Sequence, residues 1–230
     1  MKTIVDKAIV LRRINYGEAD RIVSVLTSKN GKISFLAKGV RKSKSKLAAG
    51  IEPFCVNEIC FAPGRGELAT LTSSRLLTNY TDFINQLEKL ELANYILKSL
   101  DSHLEDNAAD IYFELLETAI NAINHINSAQ LLELWWIINI LKISGNDINT
   151  NAQVNGEAFK ENASYELIVD KGGFLEKADG PIGASEIKLI KLAKNNNPDR
   201  LSLLKNYQQF CSDLLPPLRG FYRYHTSSRF

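Results

Sequence analysis

Cysteine is scarce in this chain: Cys55, Cys60 and Cys211 are the only three in 230 residues. So small and odd a set excludes a disulfide framework and fits a reducing compartment. It also leaves a zinc centre short of ligands, since such a centre takes about four Cys or His, mostly in close pairs. Cys55 and Cys60 fall on a stretch that reads as a strand, where their spacing turns them to opposite faces. His103, His125 and His225 do not stand at ligand spacing from them. All three cysteines therefore read as core or near-core residues, and no metal or other cofactor is expected. Long apolar runs are also missing. None approaches the ~20 residues of a membrane helix, and the opening MKTIVDKAIVLRR holds no signal-peptide core, so a cytoplasmic protein is expected. Catalytic signatures are absent too: there is no G-x-S-x-G elbow, no H-E-x-x-H and no Walker-type phosphate loop. The carboxylate pairs Glu88/Glu91, Asp106/Asp110 and Glu114/Glu117 suit solvated helix faces. An enzyme is not expected.

What the chain does have is an uneven charge. The net charge is only +2, but residues 1–79 carry 14 Lys and Arg against 6 Asp and Glu, whereas residues 80–230 carry 14 against 20. A basic first third joined to an acidic remainder suggests a nucleic-acid module with a differently used partner domain. The excess peaks in Lys38–Lys46, KGVRKSKSK, where five of nine residues are cationic and none is acidic. Side chains that neutralise phosphates release condensed counterions, so a loop of this kind suits a sugar-phosphate backbone. A solvated surface loop is the plainer alternative.

From Thr3 to about Leu77 the hydrophobic pattern has period two, with a turn signal every ten or so residues. Strands are expected over Ile4–Arg13, Arg21–Thr27, Lys32–Lys38, Phe54–Phe61 and Glu67–Leu76. Tyr16–Asp20 and Pro63–Gly66 are read as turns, and Asn30-Gly31 supplies the positive φ of a tight hairpin. Five short strands fit a small closed barrel of the oligonucleotide-binding (OB) kind, with an SH3-like barrel as the other arrangement the pattern allows. Arg12, Arg13, Arg21, Lys38, Arg41, Lys42, Lys44, Lys46 and Arg65 are the candidate nucleic-acid contacts. Phe35, Phe54 and Phe61 are the aromatics available as stacking platforms, and Phe35, on the face of Ile33, reads as core.

Beyond Asn79 the period becomes helical. Asp82, Asn107 and Ser128 are expected helix caps. The segment Leu131–Leu141 is apolar nearly all round, so it reads as a central buried helix, with Gly145 as its stop. Residues 146–183 lose the pattern and read as a small hairpin excursion around Tyr165–Val169. Helices resume over Ala184–Lys194 and from Pro198 to Leu215, and Pro216-Pro217 is expected to end the last. The tail from Arg219 to Phe230 interleaves Arg219, Arg223 and Arg229 with four aromatics. Such a mix either grips single strands by stacking and charge or packs back on its domain. The fold class is thus α+β: an OB-type barrel over residues 1–79, then a helical domain over 80–230 with a short metal-free hairpin at 146–183.

Several stretches together resemble the bacterial RecO family of recombination mediators. They are Ala8–Arg13, Gly17-Glu18-Ala19-Asp20-Arg21, Leu26-Thr27 with Asn30-Gly31-Lys32, Ala37–Ser45, Ile51–Phe54, Gly145, Gly172-Gly173-Phe174 and Thr226–Phe230. The resemblance implies an N-terminal OB domain and a helical domain. It implies binding and annealing of single- and double-stranded DNA in recombinational repair, at the nucleoid. It implies partnership with RecR, with the acidic C-terminal tail of single-stranded-DNA-binding protein, and indirectly with RecA. Many members carry a four-cysteine zinc ribbon at the position of residues 146–183; this chain has no cysteine there, so zinc is not expected. Two other classes fit the same charge split: an RNA- or ribosome-associated OB module, and a scaffold whose basic loop binds acidic tails.

Overall fold

The computed structural model describes residues 3–45, 47–64, 68–104 and 110–226. The chain divides into two compact units, residues 1–125 and 126–230. The first two helices thus group with the barrel.

In the first unit five strands close into a barrel: β1 (Ile4–Tyr16), β2 (Asp20–Thr27), β3 (Gly31–Ala37), β4 (Cys55–Ala62) and β5 (Leu68–Asn79). They run in the order β1-β2-β3-β5-β4, and β4 pairs back on β1. All pairs are antiparallel except β3 with β5. This is the order of an OB barrel. Alternate residues fill it: Val10, Val23, Val25, Phe35, Ile59, Phe61 and Leu71 are all buried. Leu11 is a bulge, because the β1–β2 register shifts between Val10 and Arg12. A bulge sharpens the local twist and carries β1 on to Tyr16, three residues past the expected end at Arg13. Gly31 has φ +70°, as the Asn-Gly turn requires. The same turn is bound by buried Asp6, whose carboxylate accepts from Ser28 Oγ at 2.6 Å, Lys29 N at 3.1 Å and Asn30 Nδ2 at 2.6 Å.

Two helices complete this unit, α1 (Leu87–His103) and α2 (Asp110–His125). Asp82 does not cap α1, contrary to expectation. Residues 82–85 form a turn, and Gln86 is the N-cap. Asp82 instead forms a reciprocal pair with Asn124, its N–H donating to Oδ1 at 2.9 Å and its carboxylate accepting from Nδ2 at 2.8 Å. The turn carries fully buried Phe83 onto Phe54, edge to face at 5.2 Å. Full burial of such a ring is worth about 1.5–3 kcal/mol, more than one cap. The expected cap Asn107 lies outside the described residues.

The second unit is built on α3 (Ala129–Ile143), capped by Ser128, whose hydroxyl accepts from Leu131 N. Ten of its residues are buried, as its all-round apolarity predicts. A three-stranded sheet follows, β6 (Ser164–Ile168), β7 (Gly173–Glu176) and β8 (Ile182–Gly183), in the order β7-β6-β8. Three helices finish the chain: α4 (Ala184–Ala193), α5 (Pro198–Ser202) and α6 (Tyr207–Thr226). Pro198 takes the first turn of α5, as expected. Pro216 and Pro217 do not end the last helix; they lie inside α6. A proline in a helix interior costs about 3 kcal/mol. Leu214, Leu215, Leu218, Phe221 and Tyr222 are all buried, and α6 packs along α3, so their combined burial outweighs that cost. Among the described residues no helix is long and apolar enough to cross a membrane.

Candidate nucleic-acid interface

The basic stretch leaves the barrel where β3 ends. Residues 38–44 form successive turns rather than strand, so Lys38 lies just outside β3. Val40 is 3% exposed and plugs the barrel core, which turns its neighbours outward. Gly39 has φ +64°, a left-handed conformation that glycine adopts without the steric cost of a Cβ. The root of the loop is bound to the β1–β2 turn. Gly39 N–H donates to Asp20 Oδ1 at 2.7 Å, Arg41 N–H to Ala19 O at 2.9 Å, and the Arg41 guanidinium to Gly17 O at 3.3 Å. Two stretches separate in sequence, Gly17–Arg21 and Ala37–Lys42, are thereby one structure. Beyond it Leu47 and Ala48 return to the core.

The candidate cations separate into two groups. Lys38, Arg41, Lys42 and Lys44 are exposed, and among the described residues none forms an ion pair. Arg12, Arg13 and Arg21 are engaged within the unit. Arg12 Nε lies 2.6 Å from Asp101 Oδ2. Arg13 pairs with Glu52 at 2.6 Å and Arg21 with the same carboxylate at 3.9 Å. Asp101 also takes Lys32 at 3.1 Å and Ser24 Oγ at 2.8 Å, tying α1 to the outer face of β1, β2 and β3. Lys46, Arg65 and Arg229 lie outside the described residues.

The described part of the tail, residues 219–226, lies on α6. Arg219 makes a bidentate pair with Glu133 of α3 at 2.6 and 2.7 Å, a geometry that fixes both side chains. Phe221 and Tyr222 are buried and pack back on the domain; Phe230 lies outside the described residues. Arg223 and Tyr224 are exposed on the helix.

None of the three barrel phenylalanines is a surface platform: Phe35, Phe54 and Phe61 are 0%, 6% and 3% exposed. Among the described residues of the barrel the exposed aromatic is Tyr16, at the end of β1. The sequence signal for it is the alternation Arg12-Ile14-Tyr16, which a strand ending at Arg13 conceals. A groove of about 610 Å³ elsewhere on the unit holds Lys7 and Lys29 but also Glu58, Asp110, Glu114 and Glu117, a sign of charge that disfavours phosphate.

The hairpin region does not fit zinc. Among the described residues no group of three or more His, Cys, Asp and Glu could hold a metal ion. Buried side chains cross-link the segment in its place. Gln153 donates to Ala158 O at 3.1 Å and accepts from Glu176 N at 2.8 Å. Tyr165 accepts from Lys160 N at 2.6 Å and donates to its carbonyl at 3.1 Å. Phe159 packs edge-on against both Tyr165 and Phe174.

A closed β1-β2-β3-β5-β4 barrel followed by helices defines an OB-fold protein, the class whose β2–β3 face and β1–β2 loop take up oligonucleotides and oligosaccharides. The profile of the recombination protein O N-terminal region matches residues 1–80, and that of its C-terminal region residues 84–230. The chain belongs to the RecO family. A DNA repair protein RecO of Dehalococcoides mccartyi is 27% identical over 226 residues, covering 95% of this chain and 88% of the relative. Proteins of the same name from an Exiguobacterium species and from Clostridium perfringens are 32% and 31% identical over 60% and 63% of this chain, and over 55% and 59% of their own lengths.

Proposed function

We propose that this protein is a DNA-binding recombination mediator of DNA repair that acts by binding, without turnover. The observation that carries the proposal is the loop at residues 38–44. Lys38, Arg41, Lys42 and Lys44 are exposed and, among the described residues, without ion-pair partners, and Asp20 anchors the loop root beside the OB face. Cations free of carboxylate partners keep their full attraction for phosphate. Two strands held by one such loop repel each other less, which supports annealing. In this proposal residues 1–79 bind single- and double-stranded DNA. The helical domain, residues 80–230, meets RecR and the acidic tail of single-stranded-DNA-binding protein, and RecA is loaded on the strand so exposed. No cofactor takes part.

Salt dependence tests it. For each phosphate of a single strand that a variant no longer neutralises, the slope of log K against log salt flattens by roughly 0.7. Changing Lys38, Arg41, Lys42 and Lys44 together to Ala is expected to flatten it by about 2–3 units and to abolish annealing. An unchanged slope with tight binding would show that the loop is not the grip. Equal affinity for RNA of the same sequence would favour an RNA-associated module instead.

A further inference from the structure

Helix α1 binds the middle of the barrel's outer face and leaves other parts of it open. Near the bulge, Arg12 and Ser24 pair across β1 and β2, and Asp101 of α1 binds both of them and Lys32, burying Ser24 while Arg12 stays exposed. Farther along the same face the cover stops. Alternation from Arg12 places Ile14 and Tyr16 there, and they are 44% and 55% exposed. Ile14 pairs with Ile22, and Ile22 with Leu36, so half-buried apolar side chains run alongside. Tyr16 pairs with Asp20, the residue that anchors Gly39, and precedes Gly17, whose carbonyl accepts from Arg41. The ring therefore stands at the root of the cationic loop. Val5, at the other end of β1, is exposed as well, but among the described barrel residues Tyr16 is the exposed aromatic.

Phosphate neutralisation does not distinguish paired from unpaired bases. An aromatic ring does, because only an unpaired base offers it a face. We propose that Tyr16, backed by Ile14, Ile22 and Leu36, is a base-stacking platform that gives this site its preference for single-stranded over duplex nucleic acid. The proposal rests on residues 38–44 being the phosphate grip, and it adds an interaction that charge alone does not supply.

The test compares the full-length wild type with Tyr16→Ala and Tyr16→Phe. Three probes of equal length are used across a salt series: an oligothymidine, an abasic oligomer and a duplex. Stacking on one base predicts a loss of about 5- to 150-fold for Tyr16→Ala on oligothymidine. Tyr16→Phe should retain most of the affinity. Abasic and duplex binding should not move, and neither should the salt slope, since the phosphate-binding cations are all still present. If Tyr16→Ala binds oligothymidine as tightly as the wild type, or weakens the abasic probe equally, the platform is refuted while a steep wild-type slope leaves the loop standing. A flat wild-type slope would refute the loop instead, and the oligothymidine-to-abasic ratio would still decide for or against Tyr16.

Discussion

Asp20 joins two stretches that are far apart in the chain. Its carboxylate accepts from the Gly39 amide, so one short side chain helps to set the position of four cations, beside Val40 in the core and the Arg41 bonds to Ala19 and Gly17. Asp20→Ala removes that charge-assisted bond and is expected to cost about 1–3 kcal/mol, read as a lower Tm, with weaker binding to single strands. Cys211 offers a second check. Burial, helped by the charge of Glu133, pushes its thiol up from 9.0 to about 11. A raised folded-state value means that the native protein holds this proton more tightly than the unfolded chain does. Stability supplied here is complete below pH 9 and declines as pH climbs from there toward 11. Alkylation at about pH 8, below the ordinary thiol range, should therefore spare Cys211 until the protein is unfolded, which peptide mapping after labelling would show. The positive charges were legible in the sequence; their pairing was not. Arg12 and Lys42 look alike on paper, and only folding brings Asp101 to the first of them.

Elements were legible where one periodicity governed them. Barrel strands and α3 follow their apolar patterns closely, because each buries one face or all of its surface. Local signals failed where tertiary packing overrode them. Asp82 was displaced as a cap by the burial of Phe83. The proline pair was absorbed into α6 because its neighbours pack on α3. Tyr16 was hidden by a bulge that periodicity does not register. The sheet of residues 164–183 gives a prediction at this scale. Gln153, Tyr165 and Phe174 hold it without metal, so prolonged chelation should leave Tm unchanged. Tyr165→Phe leaves the Lys160 amide without its acceptor and should cost about 1–3 kcal/mol. A Tm that falls on chelation would overturn the metal-free reading of the sheet.

At the scale of the molecule, the charge division near residue 80 and the structural division near residue 125 do not coincide. Sequence composition marks the basic barrel. Packing adds α1 and α2 to it, because Asp101 holds Arg12, Lys32 and Ser24, and Phe83 packs on Phe54. A fragment of residues 1–125 is therefore expected to melt cooperatively, whereas residues 1–80 should aggregate or melt without a transition. Calorimetry of the two fragments distinguishes these outcomes.

The loop between β3 and β4 is fastened at both ends, by Val40 on one side and by Leu47 and Ala48 on the other. Neither fastening depends on what lies between them. Closing a longer flexible loop costs only ~0.6 kcal/mol per doubling of its length. Insertions after Ser43 are thus nearly free for the fold, so the chain's reach for a ligand is open to evolutionary change while the barrel beneath it is not.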